Sequence, residues 1–261
     1  PHGRASATPH TPTAEPPARE ANVAPVSPLG EHNLARLAEL SFERRGDYES
    51  LLFDGRWFRS GELFERAQRI AGGLAALGVR PGDRVVVSMA NCPEVGIVYN
   101  AIWRAGAVVT PATFLLPPAE LRHVVANAEA SAVVTTPEFV DKVSEAVDGI
   151  DSVRHVISTE DADDEGVMSL RMLEQAEAAP IVARADDDLA ALLYTGGTTG
   201  RSKGVMLSHA NLYFSGRSAH DAGHIDGVNR ALATLPLSHS YGILVTLAGM
   251  HNEERGVAVL L

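Results

Sequence analysis

Residues 81–111 read PGDRVVVSMANCPEVGIVYNAIWRAGAVVTP, and this stretch decides the fold. Pro81-Gly82-Asp83 is a turn signal. The run Val85-Val86-Val87-Ser88-Met89 that follows is short, apolar and β-branched, as a strand requires. A helix pattern runs from about Pro93 to Trp103, and a short strand is predicted around Val108-Val109. Upstream, Glu49 to Asp54 and Arg56 to Phe58 flank Asp54-Gly55, a hairpin-turn dipeptide. Ser60 is placed to N-cap the next helix, with Glu62 in its first turn. Leu63, Ala67, Ile70, Leu74 and Leu77 recur at steps of 4, 3, 4 and 3, one stripe of that helix. Gly78 follows as its C-cap. Downstream, Pro117 to Ala128 reads as a helix, Ala132 to Thr136 as a strand, Pro137 to Val147 as a helix, Val153 to Ser158 as a strand and Leu189 to Tyr194 as a buried strand. Such alternation predicts an α/β architecture, mostly parallel sheets flanked by helices.

Composition narrows the function classes. The chain has 261 residues, 45% hydrophobic and 21% charged, with a net charge of −11. That balance suits a globular protein and argues against general binding to nucleic acid or anionic lipid, which needs a basic face. The single cysteine, Cys92, excludes an internal disulfide framework and a multi-cysteine zinc site; it reads as a small packing or helix-start residue. No apolar run approaches the roughly 18 residues that span a bilayer, and no secretory signal pattern opens the chain. A cytoplasmic setting is the expectation. Residues 1–30 hold 7 of the 15 prolines and no Phe, Trp or Tyr. They read as a flexible Pro/Ala-rich tail. The remainder, 31–261, reads as one partial domain: the last residues, Gly256 to Leu261, look like a buried strand, so the chain is expected to be the front part of a longer protein.

The chemistry is concentrated in Leu192 to His209, LLYTGGTTGRSKGVMLSH. A strand runs into a Gly/Thr-rich loop, and a second strand, Val205 to Leu207, leaves it. Glycine permits close backbone approach, and successive N–H groups in such a loop form an anion-binding concavity. Thr195, Thr198, Thr199 and Ser202 add hydroxyls, and Lys203 adds a compact cation suited to phosphate. The spacing is neither that of a Walker loop nor that of a dinucleotide fingerprint. Both of those open a helix, whereas this loop leads into a strand, so loop amides and hydroxyls would hold the phosphate. A ligand-free Gly/Thr hairpin is the plain alternative.

The same stretch resembles the signature loop of the adenylate-forming superfamily, Y-T-S-G-T-T-G-x-P-K-G, with Gly196 at the usual Ser and Ser202 at the usual Pro. The second replacement is expected to loosen the loop. Arg56 to Leu77, VRPGDRVVVSMANCPE, AIWRAGAVVTPATFLLPPAEL and LPLSHSYG (Leu235 to Gly242) are similar to further blocks of that family, in order, over about Asn33 to Leu261. The resemblance implies the N-terminal large domain of the adenylate-forming fold. It implies that Thr195, Gly196, Gly197, Thr198, Thr199, Gly200 and Lys203 bind ATP phosphates and that His239 lies at the acyl pocket and orients the carboxylate. A hydrogen-bonded structural histidine is the alternative for His239.

The implied reaction activates a carboxylate, a poor electrophile, by attack on the α-phosphorus of ATP, giving an acyl-adenylate and pyrophosphate. A thiol, commonly coenzyme A, then displaces AMP. Loop N–H groups, Lys203 and Mg²⁺ would offset the repulsion between carboxylate and triphosphate. The family's acidic Mg²⁺ ligand, ribose-binding Asp and C-terminal lid domain with its catalytic Lys have no counterpart before Leu261. The chain alone is therefore expected not to complete turnover, and Lys203 is not that lysine. The substrate expected is a fatty or other apolar acid. Loading of a carrier protein, and a truncated non-catalytic binding module, are the alternatives. Other signals carry less. His220 and His224 approximate a zinc-protease spacing but have Asp221 in place of Glu. Asp161 to Gly166 imitates the start of a calcium loop, but Met172 stands where the bidentate Glu belongs. No metal site is assigned to this chain.

Overall fold

The computed structural model describes residues 28–161, 164, 166–195 and 201–261. Most of the expected tail lies outside them. At its end, Gly30 donates its N–H to the Arg184 carbonyl at 2.9 Å and is already packed.

The elements in chain order are α1 (Leu34–Arg45), β1 (Glu49–Phe53), β2 (Arg56–Arg59), α2 (Ser60–Ala76), β3 (Arg84–Ser88), α3 (Pro93–Arg104), β4 (Val108–Pro111), α4 (Pro118–Asn127) and β5 (Ala132–Thr135). A 3₁₀ turn (Pro137–Phe139) leads into α5 (Val140–Val147). Then come β6 (His155–Ser158), β7 (Val167–Ser169), α6 (Leu170–Leu173), β8 (Leu189–Thr195), β9 (Lys203–Ser208), α7 (His209–Gly223), β10 (Arg230–Ala233), α8 (Ser240–His251) and β11 (Val257–Leu260). The helix α1, which the sequence reading did not assign, starts where the Asn33 side chain accepts the Arg36 N–H.

A seven-stranded sheet of order β7-β6-β5-β3-β4-β8-β9 forms the centre; all its pairs are parallel except β8–β9. Alternation along the strands sorts side chains to two faces. Val85, Val87, Ala132 and Val134 join a core with α1, α2 and α3, whereas Val86 and Val133 join a second core with α4 and α5. Connections after β3 and β4 thus run on opposite faces. In open α/β sheets, such a switch opens a crevice beyond the carboxyl ends of the strands. A smaller sheet of order β10-β11-β1-β2 carries the predicted hairpin, with Asp54 and Gly55 both at positive φ (46° and 72°), the geometry that matches strand twist.

Three readings change. Ser60 opens α2 but does not cap it: its hydroxyl donates to the Gly46 carbonyl (2.9 Å) and accepts the Tyr48 N–H (3.1 Å). The Asp47 carboxylate takes the Gly61 N–H instead, at 3.0 Å. Strand β8 is fully buried only at Ala190 and Ala191; Leu192 to Tyr194 are half-buried and Thr195 is exposed. The cause is that β4 pairs with β8 at Val109–Ala191, beyond which only β9 accompanies it. Likewise β11 is half-buried except at Leu260. The α2 stripe and its end agree with the sequence: Ala67, Ile70 and Leu74 are buried, and Gly78 has φ +80° while the Val79 N–H reaches the Leu74 carbonyl at 3.0 Å.

Candidate nucleotide and carboxylate site

The Gly/Thr stretch joins two antiparallel strands, as its sequence implied. Thr195 ends β8 and Lys203 begins β9, and the two stand directly opposite in register. Both are exposed. Gly196, Gly197, Thr198, Thr199 and Gly200 lie outside the described residues. Thr195 marks the carboxyl end of a strand parallel to β4 and β3, so the mouth of the hairpin lies on the rim where that crevice opens.

The hairpin's base is closely built. Gly204 faces Tyr194 across the ribbon, and a Cβ on Gly204 would stand 2.9 Å from Leu192 Cδ1 and 3.3 Å from Tyr194 Cζ. The Tyr194 hydroxyl donates to Asn127 Oδ1 at 2.7 Å, and burial raises its pKa. His123 Nε2 lies 2.9 Å from the Ser202 carbonyl oxygen. Both partners sit on α4, at the opposite face from α3.

His239 is the residue before α8, and its ring is exposed, with the Ser240 hydroxyl 3.2 Å from Nδ1. The loop that carries it is anchored to the same rim. Asn91, in the turn after β3, accepts the Leu237 N–H (2.8 Å) and donates to the carbonyls of Leu235 (3.2 Å) and Leu261 (3.0 Å). The Ser238 hydroxyl donates to the Met89 carbonyl, and the Tyr99 hydroxyl to that of Leu237, each at 2.8 Å. Full burial pushes the Tyr99 phenol far up, so it remains a neutral donor. Gly242 completes the turn, since a Cβ there would lie 1.9 Å from the Leu237 oxygen. Thus β3 and β8, two parallel strands of one sheet, bring His239 and the Thr195–Lys203 pair to one rim. The sequence reading named those three residues but not Asn91, Tyr99 or Ser238; the one available signal was the position of Asn91 just past a strand's carboxyl end.

The weaker signals resolve plainly. His220 and His224 each pair with an aspartate, Asp221 (3.0 Å) and Asp226 (3.2 Å). Cys92 precedes α3, where burial pushes its thiol well up, as befits an inert packing residue. Among the described residues, no group of three or more His, Cys, Asp or Glu is placed to hold a metal ion. No described helix is long and apolar enough to cross a membrane.

A family model described as AMP-binding enzyme matches residues 38–258. Feruloyl-CoA synthase from Amycolatopsis sp is 36% identical over 179 residues, covering 69% of this chain and 34% of that protein. Triostin synthetase I from Streptomyces triostinicus is 33% identical over 215 residues, covering 81% of this chain and 39% of that one. A crystal structure of ATP-bound MatB from Rhodopseudomonas palustris superposes with a TM-score of 0.71 at 29% identity, covering 87% of this chain and 45% of that one. The chain spans 34% to 39% of the length of such curated relatives.

Proposed function

The chain belongs to the AMP-binding enzyme family, within the adenylate-forming superfamily, and from that premise we propose that it supplies the ATP-phosphate and carboxylate sites of an AMP-forming carboxylate–CoA ligase. The observation that carries this reading is the hairpin at the strand rim, with exposed Lys203 opposite exposed Thr195. In this reading the triphosphate lies over the mouth of the hairpin. Lys203 and the hydroxyl of Thr195 hold phosphate oxygens, together with Gly196, Gly197, Thr198, Thr199 and Gly200, which the family resemblance adds. His239 directs a carboxylate oxygen toward the α-phosphorus from the neighbouring loop. A phosphorus–oxygen bond forms there, pyrophosphate leaves, and the acyl-adenylate then passes its acyl group to a thiol with release of AMP. Such a site works by positioning and by offsetting like charge, not by covalent participation of the protein. Mg²⁺ belongs to the family's chemistry; among the described residues no group of three or more His, Cys, Asp or Glu gathers to hold such an ion.

The acid is a fatty or other apolar one in this reading, and coenzyme A is the acceptor. The likeness to feruloyl-CoA synthase supports the acceptor. The likeness to triostin synthetase I favours a second reading, in which a carrier-protein thiol replaces coenzyme A. Carboxylate-dependent exchange of labelled pyrophosphate into ATP tests the first half-reaction, with this chain and with its whole reading frame. Exchange by the whole frame that requires an apolar acid is expected, with little or none from these 261 residues alone. Absence of exchange from the whole frame with every acid tried would leave a non-catalytic binding module. Supplying coenzyme A or a carrier protein to the acyl-adenylate then separates the two acceptors.

A further inference from the structure

The ribbon that carries Thr195 and Lys203 leaves its parallel neighbour at Ala191, four residues before Thr195. Beyond that point, sheet pairing on one side only would let its mouth drift. A loose mouth is a poor phosphate cradle, because a donor displaced by an ångström loses much of its value. The family pattern has proline just before the lysine, a residue whose ring fixes φ; Ser202 stands there and fixes nothing by itself.

The helix α4 supplies the missing restraint. His123 and Asn127 are one turn apart and share a face. His123 Nε2 reaches the Ser202 carbonyl at 2.9 Å, on the β9 side, and Asn127 Oδ1 takes the Tyr194 hydroxyl at 2.7 Å, on the β8 side. A carbonyl can only accept, so Nε2 carries the hydrogen whatever the state of Nδ1. The His123 ring also meets the Tyr194 ring edge-on, with centroids 6.3 Å apart, which joins the two contacts into one clamp.

We propose that His123 and Asn127 are positioning residues: they clamp the two strands at the base of the hairpin and so hold Thr195 and Lys203 in register for nucleotide phosphate. Neither touches phosphate in this account. The inference rests on the ATP reading above, but its structural half is independent of it.

The test uses the full chain and two readouts. Hydrogen exchange of the amides of residues 192–195 and 203–205 reports the clamp without nucleotide, and titration with ATP reports its use. His123→Ala is expected to speed exchange in those amides and to weaken ATP binding, each by roughly 3- to 10-fold, the range for one neutral hydrogen bond. His123→Gln, which keeps a donor for the Ser202 carbonyl, is expected to recover most of both. Tyr194→Phe removes only a hydroxyl, and should repeat the loss should His123→Ala fold poorly. Exchange that is unchanged in His123→Ala and Tyr194→Phe overturns the clamp. Faster exchange with undiminished ATP affinity overturns the positioning role. If the unaltered protein ignores ATP even as its whole reading frame, the ATP reading fails and the positioning role falls with it, and faster exchange in the variants would still mark the clamp as purely structural.

Discussion

Two parts of one sheet are built on opposite terms. In β3, β4 and β5 nearly every residue is buried and each strand has a parallel neighbour on both sides. In β8 and β9, burial stops at Ala191 and the ribbon runs on with exposed Thr195, Lys203, Val205 and Met206. The centre holds the fold; the ribbon presents groups to a ligand. The difference teaches that stability and binding should respond to different substitutions within the same sheet.

The largest break is expected at the centre. Trp103 on α3 is wholly buried, and its indole N–H donates to the Ala190 carbonyl at 3.0 Å. It thus joins α3 to the buried end of β8. Trp103→Ala should lower stability by about 3–5 kcal/mol, through lost burial, a cavity and the lost hydrogen bond to Ala190. Urea unfolding should show a lower midpoint with an unchanged slope; a loss under about 1 kcal/mol would break the assignment of the centre as the stabilising region.

Acid should act next, through His209 where β9 meets α7. Its Nδ1 accepts the Leu34 N–H at 3.2 Å, and burial, aided by Arg184, pushes its pKa down to about 4. The unfolded chain, with an ordinary imidazole pKa near ~6.5, binds the proton first. The stabilising contribution is therefore complete above about pH 6.5 and is lost as pH falls toward 4, by up to about 3 kcal/mol. His251 shifts in the same direction, also by burial. His209→Asn, which retains an acceptor but does not titrate, should flatten the stability curve between pH 7 and 4.5. An equally steep curve in that variant would assign the acid sensitivity elsewhere.

What the sequence disclosed follows the same division. Local signals were legible. The Asp54-Gly55 turn, the α2 stripe, Gly78 and the strand–helix–strand run at 84–111 depend on residues close in sequence, and the resemblance of the Gly/Thr stretch depends on an unbroken string. Long-range contacts were not. Nothing near Asn91 shows that it will hold Leu235 and Leu237, about 145 residues on, and nothing near His123 shows that it will meet Ser202. Ser60 misled because its hydroxyl is taken by Gly46 and Tyr48, across the hairpin from the helix it was expected to cap. The start of α7 was a different omission: Ser208 and Asn211 form a capping box, but with Asn where Glu or Gln is usual.

Lys203 gives the smallest expected effect on stability and the sharpest test of the comparison. It is exposed at the first position of β9, where its ammonium group buries no charge and completes no core. Removing it should move stability by no more than about 0.5 kcal/mol, the usual range for a surface substitution. ATP affinity should respond quite differently. A charge-assisted contact to phosphate is worth about 1.5–3 kcal/mol, so Lys203→Ala should weaken binding by roughly 10- to 150-fold. Lys203→Arg keeps the charge but changes its shape, and should fall between the two. Urea midpoints and ATP titrations on the same preparations separate these quantities. A variant with an unaltered midpoint and strongly weakened ATP binding would confirm that the ribbon serves the ligand, not the fold. Unaltered ATP binding would remove the hairpin from the nucleotide site, and a large drop in midpoint would show that the ribbon carries structural weight after all.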